Sequence, residues 1–419
     1  MYQRGILLNP VTTVAFRAIL LISLCWSIAV YGDAKSECNA VTGGKHTRIV
    51  WVDGGDALLG VSNAISGFDS KTGKITKIYS GKCVKCVLCY GGHKVLFTSG
   101  DYKVWIIDFD GTNAKQLLEA GNVSDGWRDP KTGTEWAVYR GQGRGQGGGI
   151  NRINIDDPTQ KIELYSGNAG HTVYPWFQMS ADGTFTADFM PYGTVFVYDI
   201  VTKKKTKIKS GPCWASTASD NSYNWFHLNG GHTSLGLYNK TKGIGSLGVV
   251  PPAKKGADIY CPRFAEGTEE TGLYFTLGGG YSSYSSPGIE IFLGKFGSDL
   301  RSVEKWARIT NDNVANHHSS AWIGVESETG DSATGMLETS KQNLASQLSV
   351  KMAGSKTVEL NFRQKEFIEI EIVNPMGLVV EKSLIAGNSK FRWSGLTAGV
   401  YLIRLTGQNN VIRKKITLW

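Results

Sequence analysis

Residues 171–211 carry the strongest indication of fold in this sequence and read HTVYPWFQMSADGTFTADFMPYGTVFVYDIVTKKKTKIKSG. An aromatic segment is followed by the polar turn Ser180-Ala-Asp-Gly183 and an apolar run. A second apolar run ends at Asp199, and a basic segment then leads to Gly211. Short apolar runs separated by turn residues are typical of β-strands. The stretch therefore predicts one unit of about four short strands.

The same order of features recurs about every 40 residues between His46 and Asp312. In the partial copies the second apolar run ends at Asp69, Asp108 and Asp156, which gives separations of 39, 48 and 43 residues up to Asp199. Repeated four-stranded units are typical of a β-propeller. We expect a propeller domain over 46–325 with six blades, approximately 46–82, 83–122, 123–169, 170–210, 211–255 and 256–312. An extra strand near 316–325 closes the ring or, alternatively, begins a seventh blade.

The fourth copy resembles the repeat of TolB-like β-propellers, through the turn Ser180-x-Asp182-Gly183 followed by Val195-Phe-Val-Tyr-Asp199. The repeat region covers about two thirds of the chain, although the other copies match less well. The resemblance implies a fold and no reaction.

Composition agrees with an all-β chain and argues against a helical bundle. Of 419 residues 41% are hydrophobic and only 19% are charged, and there are 52 Gly, 12 Trp, 17 Tyr and 16 Phe. Lys plus Arg exceed Asp plus Glu by 45 to 36, without long basic runs. A nucleic-acid partner is therefore not expected.

The amino-terminal segment, residues 1–34, reads as a secretory signal peptide. Arg4 and Arg17 precede an uncharged, mostly apolar run over 18–32, and small residues follow. A membrane span is the alternative, but that run is shorter than the roughly 20 residues needed to cross a bilayer. We expect no membrane span in the mature chain, which keeps a net charge of +8 after loss of Arg4, Arg17 and Asp33 from the total of +9.

Residues 326–354 are rich in small and polar residues and read as a linker, and residues 355–419 then show the period-two alternation of short strands. This pattern predicts a small Ig-like antiparallel β-sandwich. The tail resembles the C-terminal sorting domain of type IX secretion substrates, through Asn374-Pro-Met-Gly377, Trp393-Ser-Gly395, Gly399-Val-Tyr401 and Arg413-Lys-Lys415. The resemblance implies export by the type IX secretion machinery. An ordinary immunoglobulin-like module is the alternative.

Six cysteines lie outside the signal peptide, and an even number in an exported chain favours disulfides. We expect Cys213 to pair with Cys261, and Cys38 to pair with one of Cys83, Cys86 and Cys89. The spacing of the last three also suits a thiolate metal site, but a fourth nearby ligand is missing. No metal or other cofactor is expected.

The first strand of each blade lines the channel of a propeller, so residues near these strands converge from distant parts of the sequence. The predicted ligand-binding set at the channel mouth is Trp127, His171, Arg263, His317 and His318. Arginine suits a carboxylate and an exposed tryptophan suits a sugar ring, so an acidic sugar is the expected ligand. In the structural alternative, Arg263 pairs with an Asp of a neighbouring blade and the histidines hydrogen-bond loops.

These features predict a secreted or cell-surface bacterial propeller that binds a carbohydrate or protein ligand, with an acidic polysaccharide or a surface protein as partner. No strong catalytic motif is present, so the sequence leans away from an enzyme. A polysaccharide-active enzyme such as a metal-assisted lyase is the alternative, and a purely structural adhesin is a third.

Overall fold

The computed structural model describes residues 33–54, 62–141, 148–167, 177–190, 193–251, 258–267, 271–281, 288–312, 314–324, 348–352, 357–362, 368–373, 379–385, 390–394, 399–406 and 411–418. The chain divides into two compact units, residues 1–330 and 331–419. Nearly all of the predicted signal peptide and most of the predicted linker lie outside the described residues, and so does His171.

The described part of the first unit begins with a helix, α1 (Ala34–Thr42). Asp33 caps it by accepting a hydrogen bond from the Ser36 N–H at 2.7 Å, and Gly43, with φ of 68°, ends it in the left-handed region. The helix is held to a strand far along the chain, because the Arg308 N–H donates to Glu37 Oε2 at 2.7 Å.

The described strands of the first unit are short and mostly buried. They are β1 (Thr47–Asp53), β2 (Ser62–Asp69), β3 (Lys74–Leu88), β4 (Lys94–Ser99), β5 (Val104–Asp108), β6 (Lys115–Leu118), β7 (Asn122–Arg128), β8 (Glu135–Arg140), β9 (Ile150–Asn154), β10 (Lys161–Tyr165), β11 (Phe185–Phe189), β12 (Thr194–Asp199), β13 (Lys205–Ser210), β14 (Cys213–Thr217), β15 (Asn224–Leu228), β16 (Ser234–Asn239), β17 (Lys242–Gly248), β18 (Asp258–Phe264), β19 (Glu266–Gly267), β20 (Tyr274–Tyr281), β21 (Glu290–Phe296), β22 (Val303–Arg308) and β23 (Asn316–Ile323).

Strands that follow one another in sequence pair side by side, which gives a propeller-like arrangement of small sheets. The described sheets are β10-β9-β8-β7, β11-β12-β13, β14-β15-β16-β17, β18-β20-β21-β22 and the eight-stranded β19-β23-β1-β2-β3-β4-β5-β6. The last strand, β23, pairs antiparallel with the first, β1, so the two ends of the unit are joined by backbone hydrogen bonds. This junction protects strand edges that an open fan would expose.

The six separate blades predicted from the sequence are not confirmed by this division. Four sheets stand alone, and the fifth is twice as long because β3 changes partner along its length. Lys74 to Cys83 pairs with β2, whereas Cys83 to Leu88 pairs with β4. Hydrogen bonding therefore runs without a break from β1 to β6.

A β-bulge recurs near the middle of five strands, namely β3, β7, β14, β18 and β23. The register shifts fall at Cys83/Lys85, Val123/Asp125, Cys213/Ala215, Tyr260/Arg263 and His317/Ser320. In three of these strands the bulge includes a non-glycine residue at positive φ, with 41° at Trp214, 47° at Cys261 and 50° at His318. Bulges re-aim the side chains that follow them, which matters for the polar residues described below.

The second unit is also all-β. Its described strands are β24 (Leu348–Met352), β25 (Thr357–Phe362), β26 (Ile368–Val373), β27 (Val379–Ile385), β28 (Lys390–Ser394), β29 (Gly399–Thr406) and β30 (Val411–Leu418). They form two antiparallel sheets, β24-β25-β28 and β27-β26-β29-β30. The strands predicted over 355–419 are thus confirmed, whereas β24 lies within the predicted linker, 326–354. The immunoglobulin-like sandwich stays a prediction.

Candidate functional site

The most concentrated polar chemistry of the first unit lies inside it, on the bulged strands. Arg263 and Gln178 are 0% exposed, and Asp125 and Glu266 are 1% exposed. With Ser216, which is also fully buried, these residues are called the polar core below. Charged groups are rarely fully buried unless they are paired, so this cluster is the first candidate site.

Arg263 sits at the centre of the polar core. Its Nη2 donates to Asp125 Oδ1 at 2.6 Å and to Glu266 Oε1 at 2.8 Å, and its Nη1 donates to the Ser124 carbonyl at 3.2 Å. The guanidinium thus joins β18 to β7 and to β19. Short, charge-assisted hydrogen bonds of this kind are among the strongest in proteins.

One arginine faces two carboxyl groups here, and two ionised carboxylates at this distance would repel each other. Burial raises the pKa of Glu266 well above its usual range, and the Asp125 carboxylate raises it further, both by repulsion and by a hydrogen bond between the two groups. Arg263 acts in the opposite direction but does not overcome these effects. Glu266 therefore holds its proton more tightly than a free glutamate does, which limits the negative charge beside Arg263.

Gln178 and Ser216 extend the polar core across two more segments. The Gln178 amide donates to Glu266 Oε1 at 2.7 Å and accepts from the Ser216 hydroxyl at 2.5 Å. The Phe264 N–H in turn donates to Ser216 Oγ at 2.9 Å. A continuous network thus links β7, the segment before β11, β14 and β18, and such a network gives a buried region a unique arrangement.

A second set of buried charges lies near Arg263. Burial lowers the pKa of Lys85 to about 7, and repulsion from Arg263 and Arg140 adds to that effect while Asp188 opposes it. Lys85 and Arg140 are each 0% exposed, as is Asp188. Lys85 therefore titrates near neutral pH instead of carrying a permanent charge.

Cys261 and His318 form a close pair, with Sγ and Nδ1 3.4 Å apart. Burial raises the pKa of the Cys261 thiol well above its usual range and lowers that of His318 well below. Both groups are therefore neutral, with the thiol able to donate to the imidazole. A reactive cysteine needs the thiolate form, so this pair lacks the charge state of an activated nucleophile.

The structure separates the predicted ligand-binding residues. His317 and His318 lie within one region, because the Tyr260 ring is 5.4 Å from His317 and 6.2 Å from His318. Arg263 is near this region, since the Lys85 ammonium interacts with both Arg263 and His318. Trp127 packs instead against the turn at Ser180 and against Arg152. It is 7% exposed, its indole N–H donates to the Ser180 carbonyl at 3.2 Å, and its ring packs 4.7 Å from the Arg152 guanidinium.

The geometry matches the alternative in which Arg263 pairs with an Asp and not with a ligand, since Arg263 is paired with Asp125 of another sheet. Sequence reasoning offers an Asp of a neighbouring blade as the partner of Arg263 but does not identify Glu266, Gln178 or Ser216. Glu266, three residues after Arg263, was the one local signal available, because opposite charges so close in sequence can pair.

The polar turn that identified the repeat joins neighbouring sheets. Ser180 Oγ donates to Asp182 Oδ1 at 2.6 Å, and the Tyr223 hydroxyl donates to Asp182 Oδ2 at 2.6 Å. Burial acts to raise the pKa of Asp182, but these hydrogen bonds outweigh it and the pKa is lowered. Gly183, at φ of 71°, lies directly against Trp127. The turn therefore packs one sheet against the next.

The predicted disulfides are not present among the six described cysteines, which form no disulfide bond. The described residues also hold no cluster of three or more His, Cys, Asp or Glu side chains arranged to bind a metal ion. Where the chain is described, no helix has the length and apolar character needed to span a membrane.

Residues 353–418 match the family model described as "Secretion system C-terminal sorting domain". This match implies export by the type IX secretion machinery, and a protein that is secreted or attached to the outer surface. No curated protein matches the chain.

Among solved structures, one similar chain is the β-propeller domain of Cps50 (Swd1) from Myceliophteria thermophila. It has 13% sequence identity and a TM-score of 0.40, and the alignment covers 59% of this chain and 81% of that chain.

Proposed function

We propose that this chain is a six-bladed, TolB-like propeller that is exported by the type IX system and binds a carbohydrate or protein ligand outside the cell. The observation that carries the proposal is the sorting-domain match at 353–418. A signal peptide at 1–34 completes the export route in this proposal.

The six-blade count is supported by the way β3 changes partner. Dividing the eight-stranded sheet near Cys83 gives one blade of β23, β1, β2 and the first half of β3, and another of the second half of β3 with β4, β5 and β6. Neighbouring first strands also touch, because β23 contacts β3, β3 contacts β7, β11 contacts β14, β14 contacts β18, and β18 contacts β23. The Asp125 side chain accepts from the Met179 N–H at 3.1 Å, which joins β7 to the segment before β11.

Within this proposal the polar core holds the blades together. An incoming acidic ligand would have to displace Asp125 or Glu266 from Arg263 at the cost of leaving a buried carboxyl group without its cation. Ligand contact is therefore better assigned to an accessible surface than to Arg263, His317 and His318.

A reporter fusion tests the export part of the proposal. Residues 348–419, which include β24, are fused to a periplasm-directed fluorescent protein in a type IX-competent bacterium. We expect the reporter on the cell surface or in the medium. The matched control ends at residue 410 and so lacks β30, the edge strand of its sheet, and it should stay in the periplasm. Retention of the full fusion beside a working sorting tail would contradict the proposal.

A further inference from the structure

A cavity of about 580 Å³ lies beside the sheet β14-β15-β16-β17, and none of its described lining residues belongs to the polar core. Its lining includes Lys209 on β13, His227 and Asn229 on and after β15, Tyr238 on β16, and Ser246 on β17. The volume falls in the range of small-molecule sites, about 300 to 1,000 Å³.

Glycines make room for this cavity. Gly236 pairs directly with His227 across the two strands, and a Cβ at Gly236 would lie 2.4 Å from the imidazole. The ring therefore lies over a backbone that carries no side chain. Gly243 and Gly245 on β17 also line the space. Without these glycines, side chains would fill the cavity.

His227 is the distinctive group in the lining. It is 1% exposed, and neither ring nitrogen meets hydrogen-bond geometry with another atom of the described residues. Burial lowers the pKa of His227 to about 4, and repulsion from Lys209 contributes, so the imidazole is neutral. A buried neutral imidazole offers one donor and one acceptor. The Leu228 backbone interacts with the ring and acts to raise its pKa, so at most one ring nitrogen is left for a ligand hydroxyl group.

The charge of the lining selects the class of ligand. Among the described lining residues, Lys209 is the one lysine or arginine, and none is an aspartate or a glutamate. The Asn229 amide nitrogen already donates to Ser246 Oγ at 3.1 Å, so these two residues offer a ligand the Asn229 side-chain carbonyl oxygen and the Ser246 hydroxyl hydrogen. Tyr238 supplies an aromatic ring. A carboxylate would pair with the Lys209 ammonium, while hydroxyl groups would meet His227, Asn229 and Ser246.

We propose that this cavity, between β13 and β15–β17, is a binding site for an acidic sugar, with Lys209 binding the carboxylate and His227 binding a ring hydroxyl group. The inference rests on the proposed function for its biological setting, since an exported binding protein meets extracellular sugars. It differs from the predicted channel-mouth site in every residue.

Titration calorimetry on the purified whole chain tests the site, with D-glucuronate as probe and D-glucose as the matched neutral sugar. We expect binding of D-glucuronate at least tenfold tighter than that of D-glucose. Lys209→Met should weaken binding about tenfold or more. Lys207→Met, on the same strand but outside the lining, should not.

A second pair of variants tests the cavity without removing a charge. A Cβ at Gly243 meets only Tyr238, at 3.6 Å, and a Cβ at Gly248 meets nothing, so both positions tolerate a side chain. Gly243→Val should weaken binding because it narrows the space, whereas Gly248→Val should leave binding unchanged. Failure of D-glucuronate to bind, equal binding of both sugars, or binding that is unchanged by Lys209→Met and Gly243→Val would overturn the inference. None of these outcomes bears on export, which the reporter fusion tests separately.

Discussion

At the scale of single residues, Arg263 is the side chain on which the polar core depends most. Replacing Arg263 with Met should lower the free energy of unfolding by about 3 to 5 kcal/mol, because a buried carboxylate at Asp125 loses its cation. Denaturant unfolding of the purified chain measures the loss. Arg301→Met, at an exposed position, is the control and should change stability by less than about 0.5 kcal/mol.

If the loss arises from unpaired charge, neutralising the partners should recover most of it. The triple variant Arg263→Met, Asp125→Asn, Glu266→Gln should therefore be clearly more stable than Arg263→Met alone. If Arg263→Met is as stable as the parent chain, the structural role of Arg263 is contradicted.

Glu266 gives a pH dependence with a definite sign. Its pKa is raised in the folded protein above the usual value of 4.5. The folded state thus holds the proton more tightly than the unfolded state. This contribution to stability is fully present below about pH 4.5 and is lost as pH rises through the folded pKa.

Glu266→Gln keeps a donor and an acceptor but cannot ionise. Melting temperatures measured from pH 5 to pH 8 should therefore fall more steeply for the parent chain than for the variant. Subtracting the melting temperature of the variant from that of the parent chain at each pH cancels the titration of the other groups. A difference that stays constant over this range would show that Glu266 does not keep its proton.

At the scale of elements, the Ser180-Ala-Asp-Gly183 turn can be tested through its glycine. Gly183 has φ of 71°, and a Cβ there would lie 2.5 Å from Trp127, whereas Gly193 has φ of 83° with open space around it. Both alanine variants incur left-handed strain of about 1 kcal/mol, but only Gly183→Ala also pushes on a buried ring. We expect Gly183→Ala to lower the melting temperature by several degrees more than Gly193→Ala. Equal shifts would show that the turn does not pack on Trp127.

The elements also show where sequence reasoning succeeds and fails. The turn at Ser180 was predictable because its hydrogen bonds join residues two to five positions apart. The partner of Arg263 was not, because Asp125 lies 138 residues away and a bulge in each strand sets which side chains face inward. The cavity at His227 was missed since it depends on which residues a glycine faces across the sheet.

At the scale of the whole molecule, the chain combines a propeller-like first unit with a sorting domain. The first and last described strands of the first unit, β1 and β23, are joined by antiparallel pairing. The family match was predictable because its motifs are contiguous near the carboxyl terminus. The number of blades was harder to predict, because β3 pairs with β2 along one half and with β4 along the other. The sequence period alone does not say where one sheet ends.

The claim that the sorting domain exports the first unit is tested most directly by locating the whole chain with and without residues 348–419. Each form is expressed in a type IX-competent bacterium, and protease digestion of intact cells, together with immunoblots of medium and periplasm, locates the first unit. The account predicts the full chain outside the outer membrane and the shortened chain, still folded, in the periplasm. A full chain that remains in the periplasm, or a shortened chain that reaches the surface equally well, would contradict it.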